Sequence, residues 1–147
     1  MKTFKATHLI TIDFKSRQGW GSHTSWDDIN REITDFIFRM TIEIKGKRYW
    51  KRYASKGNQR LIPAYGDVHF GNTGDFPHAH IQMAKPAWCD ETRFVNAAHK
   101  IARMSPLARK DASAVDVRAS DYSLVVQEYG IKEDRRSYWS RTHRCCL

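Results

Sequence analysis

Cysteines and long apolar runs are scarce in this sequence of 147 residues, and each scarcity excludes a class of protein. Of three cysteines, Cys145 and Cys146 are adjacent and Cys89 stands alone. An odd count without a CxxC pair gives no disulfide framework and favours a reducing cytoplasm. No apolar run reaches the roughly 18 residues that a membrane helix needs. The basic N-terminus has only a short apolar run ending at Asp13, which predicts a strand and not a signal peptide.

Repeats, low-complexity tracts and Pro/Gly-rich linkers are also missing, so we expect a single domain over residues 1–147. No GxxxxGK[ST] phosphate loop is present, and a chain of this length has no room for a helicase. Acidic residues are outnumbered, with 16 Asp and Glu against 25 Lys and Arg, which gives a net charge of +9. This charge favours a polyanionic partner, nucleic acid ahead of an anionic membrane surface, although some basic proteins have neither.

The hydrophobic pattern predicts an α+β fold, in which helices flank a central antiparallel sheet of four or five strands. Helices of amphipathic spacing are predicted over 26–40, 89–104 and 122–134. Strands are predicted over 8–14, 60–70, 76–84 and 114–119, and a further strand or hairpin over 41–53, where β-branched and aromatic residues surround a glycine.

Two of the helices have apolar faces that should belong to the core. The expected core residues are Trp26, Ile29, Ile33, Phe36, Ile37 and Met40 in the first helix, and Phe94, Ala97, Ala98, Ile101 and Met104 in the second. Asp27 and Asp28 lie at the positive N-terminal end of the first helix.

Three of the seven histidines lie in the segment GDVHFGNTGDFPHAHIQM, residues 66–83. His78 and His80 are two residues apart on a predicted strand, so their side chains share one face of the sheet. A four-residue loop over 72–75 would place His69 opposite His78 and Asp67 opposite His80. If the loop is one residue longer, His69 instead points to the other face.

Three neutral imidazoles suit a divalent cation that keeps open positions for water or substrate. His69, His78 and His80 are therefore the candidate metal ligands. Asp67 and Gln82 are possible oxygen donors, so manganese or magnesium is as compatible as zinc. The alternative is that the histidines are incidental, because a pair at this spacing also occurs by chance. The remaining histidines, His8, His23, His99 and His143, are interpreted as surface or core residues.

The last predicted helix contains EYGIKED, in which Tyr129 and Lys132 share a face. A phenol is a poor nucleophile at neutral pH, but a nearby cation favours its phenolate. Attack by tyrosine on a phosphodiester leaves a 3′-hydroxyl and a 5′-phosphotyrosine, which can later be rejoined without ATP. Taken alone, Tyr129 is more readily interpreted as an ordinary interfacial tyrosine, one of six in the sequence.

Together these motifs resemble those of the HUH endonucleases, the superfamily of rolling-circle replication initiators, conjugative relaxases and single-strand transposases. PHAHIQM is similar to the His-hydrophobe-His motif, and YGIK, residues 129–132, is similar to the Tyr-x-x-Lys motif of the replication-initiator (Rep) branch. HLITIDF resembles the less specific first motif. The family often has glutamate as its third ligand, at a position where this chain has His69.

The resemblance implies an antiparallel sheet of about five strands, whose metal site faces a helix carrying the tyrosine. It implies that His69, His78 and His80 hold Mn²⁺ or Mg²⁺, that Tyr129 is the single nucleophile, and that Lys132 steadies the phosphate. The implied activity is that of a DNA nickase and strand transferase, which starts rolling-circle replication of a plasmid or virus in the cytoplasm of a prokaryotic host.

Single-stranded or hairpin origin DNA would be the substrate, with a separate helicase to unwind it. Two segments, 45–53 and 135–144, interleave cations with aromatic rings, as single-stranded DNA binding requires. A transposase or a minimal relaxase is an alternative within the same class. A non-catalytic, basic nucleic-acid-binding module is the alternative from another class.

Overall fold

The structure is a computed structural model that describes residues 4–16, 26–54, 61–69 and 76–119, without the side chains of Trp26, Tyr53 and Ala54. Four strands and three α-helices follow one another in these residues. They are β1 (His8–Asp13), α1 (Trp26–Lys45), α2 (Lys47–Ala54), β2 (Ala64–His69), β3 (His78–Met83), α3 (Glu91–Ala102) and β4 (Val115–Ala119). A short 3₁₀ turn, Ala112–Ala114, precedes β4.

The four strands form one antiparallel sheet in the order β2-β3-β1-β4. The predicted α+β class is therefore confirmed, with an antiparallel sheet and helices in contact with it. Strand β1 is central, because it pairs with β3 on one side and with β4 on the other. The four predicted strands 8–14, 60–70, 76–84 and 114–119 are all present, each within its predicted range.

One face of the sheet is apolar and packs against the helices. Ile10, Ile12, Ala79 and Ile81 alternate along β1 and β3 with residues of the opposite face, and all four are buried in the core cluster. Gly66 in β2 lets α1 approach closely, since a Cβ at position 66 would lie 2.5 Å from Cγ2 of Ile33. This contact requires glycine at that position and fixes the spacing between α1 and the sheet.

The predicted strand or hairpin over 41–53 is wrong, because α1 continues to Lys45 and α2 follows at once. Met40 and Ile44 extend the helical stripe of buried residues. The buried Thr41 hydroxyl donates to the Ile37 carbonyl at 2.9 Å and accepts from the Ile62 amide at 3.0 Å. Tertiary packing thus overrides the β preference of the branched residues. Gly46, with φ of 92°, separates the two helices.

Helix α3 is two residues shorter at each end than predicted. The Asp90 carboxylate accepts from the Arg93 amide at 3.2 Å and so caps its N-terminus. Phe94, Ala97, Ala98 and Ile101 are buried as expected. Met104 was expected in the core but is 52% exposed, because the helix ends before it.

The predicted core residues of α1 whose side chains are described are all buried, namely Ile29, Ile33, Phe36, Ile37 and Met40. His8 is also a core residue, since its Nε2 lies 2.8 Å from Glu91 Oε1 and its ring packs 4.7 Å from that of Phe94. In the described residues, none of the helices has the length and apolar character required to cross a membrane.

Candidate metal centre

The face of the sheet opposite the core is polar, and the strand register arranges its side chains in three rows. We call it the polar face. The row nearest the β2–β3 loop holds His69, His78 and Asp13; the next holds Asp67, His80, Thr11 and Asp116; the third holds Tyr65, Gln82, Leu9 and Arg118. The strands thus place three histidines together at one end of the polar face.

The register of β2 and β3 is the one expected for the shorter loop. His69 pairs with His78, and Asp67 pairs with His80. Directly opposed residues of antiparallel strands share a face, so His69 lies on the same side as the other two histidines. The alternative register, which would have turned His69 towards the core side, is not adopted.

The three imidazoles form a compact group, which we call the histidine cluster: His69, His78 and His80. One potential ligand atom from each ring lies within 4.8 Å of the others. The His69 ring stacks on that of His78 with 5.3 Å between centroids, while His80 meets His69 edge-on at 4.4 Å and His78 edge-on at 4.9 Å. His69 is fully buried.

The Nδ1 atoms of His78 and His80 each contact an oxygen atom. His78 Nδ1 lies 3.5 Å from the Phe76 carbonyl, which can only accept. His80 Nδ1 lies 3.2 Å from the Thr11 hydroxyl, which can donate or accept. Both contacts are compatible with a proton on Nδ1, the tautomer that leaves the lone pair of Nε2 available to a cation.

A bound cation would draw the three ligand atoms of the cluster closer together. Nitrogens bound at about 2.1 Å to one tetrahedral ion lie about 3.4 Å apart, so atoms that are now up to 4.8 Å apart would approach by as much as about 1.4 Å. The Nε2 atoms of His69 and His80 are buried and make no hydrogen bond with the described residues, although both rings have other contacts. The donor set of three neutral imidazoles suits a divalent ion with open coordination positions.

Asp67 and Gln82, the possible oxygen donors, lie beside the cluster and are both 5% exposed. In the described residues, the group of potential ligand atoms within 4.8 Å comprises the three histidines and does not include Asp67. The Tyr65 hydroxyl donates to Asp67 Oδ1 at 2.5 Å. This hydrogen bond orients a buried carboxylate next to His80, its partner on the neighbouring strand.

The predicted nucleophile lies outside the described residues. Tyr129 and Lys132 belong to the predicted helix 122–134, which follows the last described residue, as does the basic and aromatic segment 135–144. The predicted five-strand count likewise extends beyond the four strands that the structure describes. These three expectations stay predictions.

The first basic and aromatic segment, 45–53, lies largely on α2. Its cations Lys47, Arg48, Lys51 and Arg52 are exposed. Trp50 packs against the core, and its ring meets that of Phe38 edge-on at 4.7 Å between centroids. Trp50 is half-buried, so part of its ring is occupied by this packing, whereas the cations of the segment are exposed.

A groove on the polar face adjoins the histidine cluster and was not anticipated from the sequence. It has a volume of about 350 Å³ and runs along β1 and β4, with Thr11, His80, Asp116 and Arg118 among its lining residues. Strand β4 was predicted, but its pairing with β1 joins residues that are far apart in sequence. Local patterns carry no signal for such a pairing, and the groove depends on it.

Charged side chains near the groove form ion pairs. The Arg109 guanidinium contacts Asp111 Oδ2 at 2.6 Å and Asp13 Oδ2 at 3.5 Å. The Ser113 hydroxyl and, to a smaller extent, Arg109 donate to the exposed Asp111 carboxylate and hold its pKa below the ordinary value of 3.8. The Asp111 carboxylate therefore stays ionised and paired with Arg109 at neutral pH.

Comparison with known proteins assigns no family to the chain. The sequence matches no known family and no curated protein. An uncharacterized conserved protein from Listeria innocua is similar at 13% identity with a TM-score of 0.36, covering 80% of this chain and 56% of its own. A hydrolase from Listeria innocua is similar at 12% identity with a TM-score of 0.34, covering 95% and 70%. At these sequence identities and TM-scores, neither similarity indicates the fold or the activity of this chain.

Proposed function

We propose that this protein is a metal-dependent, single-stranded DNA endonuclease and strand transferase of the HUH type, which initiates rolling-circle replication. The observation that carries the proposal is the histidine cluster: His69, His78 and His80 meet on one face, in the register that the hairpin dictates. The sequence resemblance supplies the remaining motif, Tyr129 with Lys132.

Within this proposal, the histidine cluster holds a divalent cation, Mn²⁺ or Mg²⁺, which would supply Lewis-acid polarisation of the scissile phosphate. The protein holds the imidazoles in place through the β2–β3 register and the contacts of Thr11 with His80 and of Phe76 with His78. Asp67, fixed by Tyr65, adds negative charge beside the site and so favours a cation there.

Tyr129 is the proposed nucleophile. Its phenolic oxygen forms a bond to phosphorus as the bond from phosphorus to the 3′-oxygen breaks, so the 5′ end becomes linked to the protein. The phenol gives up its proton to water, and the departing 3′-oxygen takes up a proton from water to become the 3′-hydroxyl. Lys132, on the same face of the predicted helix, would neutralise charge on the phosphate. Reversal of the step with a new 3′-hydroxyl rejoins the strand.

The charge of the chain supports a DNA substrate. Its net charge is +9, and α2 presents exposed cations on its surface. The proposed partners are single-stranded or hairpin origin DNA and a separate helicase, since the sequence has no phosphate loop. We also propose that residues 1–147 form a single nicking domain and that its sheet has about five strands.

The test is formation of a covalent adduct. The full chain is incubated with Mn²⁺ and a pool of single-stranded oligonucleotides, and is then run on a denaturing gel. We expect a slower-migrating species that is lost in Tyr129→Phe and retained in Tyr122→Phe, a matched change two helical turns earlier in the predicted helix. Mass spectrometry of the digested adduct should identify Tyr129 as the modified residue.

A non-catalytic nucleic-acid-binding module is the second candidate, and the exposed cations of α2 favour it because they need no active site to bind phosphates. It predicts salt-sensitive DNA binding with no adduct under any substrate or metal. A transposase or minimal relaxase would form the adduct too. Those two differ from a replication initiator in the DNA that is cut, so the preferred oligonucleotide separates them.

A further inference from the structure

The groove on the polar face begins at the histidine cluster and leads away from it. His80 and Thr11 line it at the cluster end, while Asp116 and Arg118 line it on β4. Its volume of about 350 Å³ falls in the range of small-molecule sites and suits one nucleotide rather than a duplex. A strand whose phosphate lies at the cluster would therefore continue into this groove.

Asp116 and Arg118 supply a hydrogen-bond acceptor for a base and a cation for a phosphate, the two groups that bind a nucleotide. Arg118 Nε lies 2.6 Å from Asp116 Oδ2, and the two side chains are 70% and 50% exposed. Exposed ion pairs contribute little free energy, so a ligand can exchange for either partner at low cost. Arg118 can turn to a phosphate, and the Asp116 carboxylate can accept hydrogen bonds from a base.

The charges facing the groove restrict which base can be bound. Asp13 and Asp116 both line the groove; among the described residues Asp13 is contacted by Arg109 at 3.5 Å, and Asp116 pairs with the more exposed Arg118. Cytosine presents an amino group that a carboxylate can accept from. Thymine presents the O4 acceptor in the place of that amino group, and its N3–H donor is flanked by two carbonyl oxygens that repel a carboxylate.

We infer that this groove is a nucleotide subsite that adjoins the scissile phosphate and selects cytosine over thymine, with Asp116 contacting the base and Arg118 the phosphate. The inference rests on the proposed function for the location of the scissile phosphate. The base preference itself depends only on the groove, so it is measurable without cleavage.

The test measures equilibrium binding of the full chain to oligodeoxycytidine and oligothymidine of equal length, by fluorescence anisotropy with divalent metal chelated. We expect the cytidine oligomer to bind about tenfold more tightly, as one hydrogen bond to a charged acceptor provides. Asp116→Asn should reduce the ratio to about twofold or less, because an amide can donate to thymine as well as accept from cytosine.

Asp27→Asn is the matched control, since it removes the same charge from an exposed position on α1 and should keep the tenfold ratio. Arg118→Ala should weaken binding of both oligomers equally and reduce the slope of log affinity against log salt by about 1. An unchanged slope would overturn the phosphate contact assigned to Arg118.

Equal binding of the two oligomers by the wild type, or a ratio that survives Asp116→Asn, would overturn the subsite. The adduct assay decides the proposed function separately. A base preference without any adduct would leave the groove as a binding site on a non-catalytic protein. An adduct without a base preference would leave a nickase that does not use this groove for selection.

Discussion

The two faces of the four-stranded sheet are formed by alternate residues of the same strands, yet one face forms the core and the other carries the candidate site. On one face Ile10, Ile12 and Ile81 are buried against the helices. On the other, His78 and His80 lie on β3, Asp13 lies beside them on β1, and Asp116 and Arg118 lie on β4. Because a strand has a period of two, a single register fixes both the core and the candidate site.

The comparison implies that stability and ligand binding can be changed separately. Substitutions on the apolar face should alter the free energy of unfolding, while those on the polar face should alter affinity for a cation or a nucleotide. The following predictions address this separation, beginning with the largest expected effect.

Ile81→Ala should lower the free energy of unfolding by about 3 kcal/mol, since Ile81 is fully buried and its truncation leaves a cavity between the sheet and the helices. Urea denaturation followed by circular dichroism measures the loss. Leu9→Ala is the control on the opposite face of the adjacent central strand, where the side chain is only half-buried, and it should cost less. Equal losses would contradict the assignment of the core to one face.

His78→Ala should weaken Mn²⁺ binding at least about 100-fold, because it removes one of three ligands, while the free energy of unfolding changes by less than about 1 kcal/mol. Isothermal titration calorimetry gives the affinity, and urea denaturation of the metal-free protein gives the stability. His99→Ala changes a half-buried histidine on α3 and should leave Mn²⁺ affinity unaltered. If the wild-type protein binds no divalent cation, the proposed metal site is wrong.

Tyr65→Phe should have the smallest effect, a loss of about 1 kcal/mol in stability together with a several-fold weaker Mn²⁺ affinity. The substitution deletes the hydrogen bond to the buried Asp67 and retains the ring. The same two measurements apply. Tyr49→Phe, on α2, is the matched control. If stability fell while metal affinity stayed constant, the Tyr65–Asp67 pair would serve folding alone.

Much of the fold followed from local patterns. The alternation in 8–14 and the helical spacing of Ile29, Ile33 and Phe36 each identified an element, since burial of one face imposes a period on the sequence. The prediction of a strand or hairpin over 41–53 was wrong because the β-branched residues of that segment favour strands locally. Thr41 and Ile44 are held in a helix by contacts with residues outside that segment, which no local rule includes.

The histidine cluster was within reach of sequence reasoning because a hairpin is a local structure. The register of β2 and β3, one of the two that the sequence allowed, brought His69 to the other two histidines. The groove could not be predicted from the sequence, because it requires β4 to lie beside β1. That pairing depends on the tertiary structure of the whole sheet. Trp50 shows the same limit, since only the tertiary structure reveals its contact with Phe38.

The central position of β1 has a consequence for how the molecule assembles. Among the described strands, β1 is synthesised before its partners β3 and β4, and it pairs with β4 where Ile12 meets Val115. Such distant pairings slow folding, because a long stretch of chain must close before they form. During translation both edges of β1 would stay exposed until its partners have left the ribosome, and the histidine-bearing hairpin would form before the groove does.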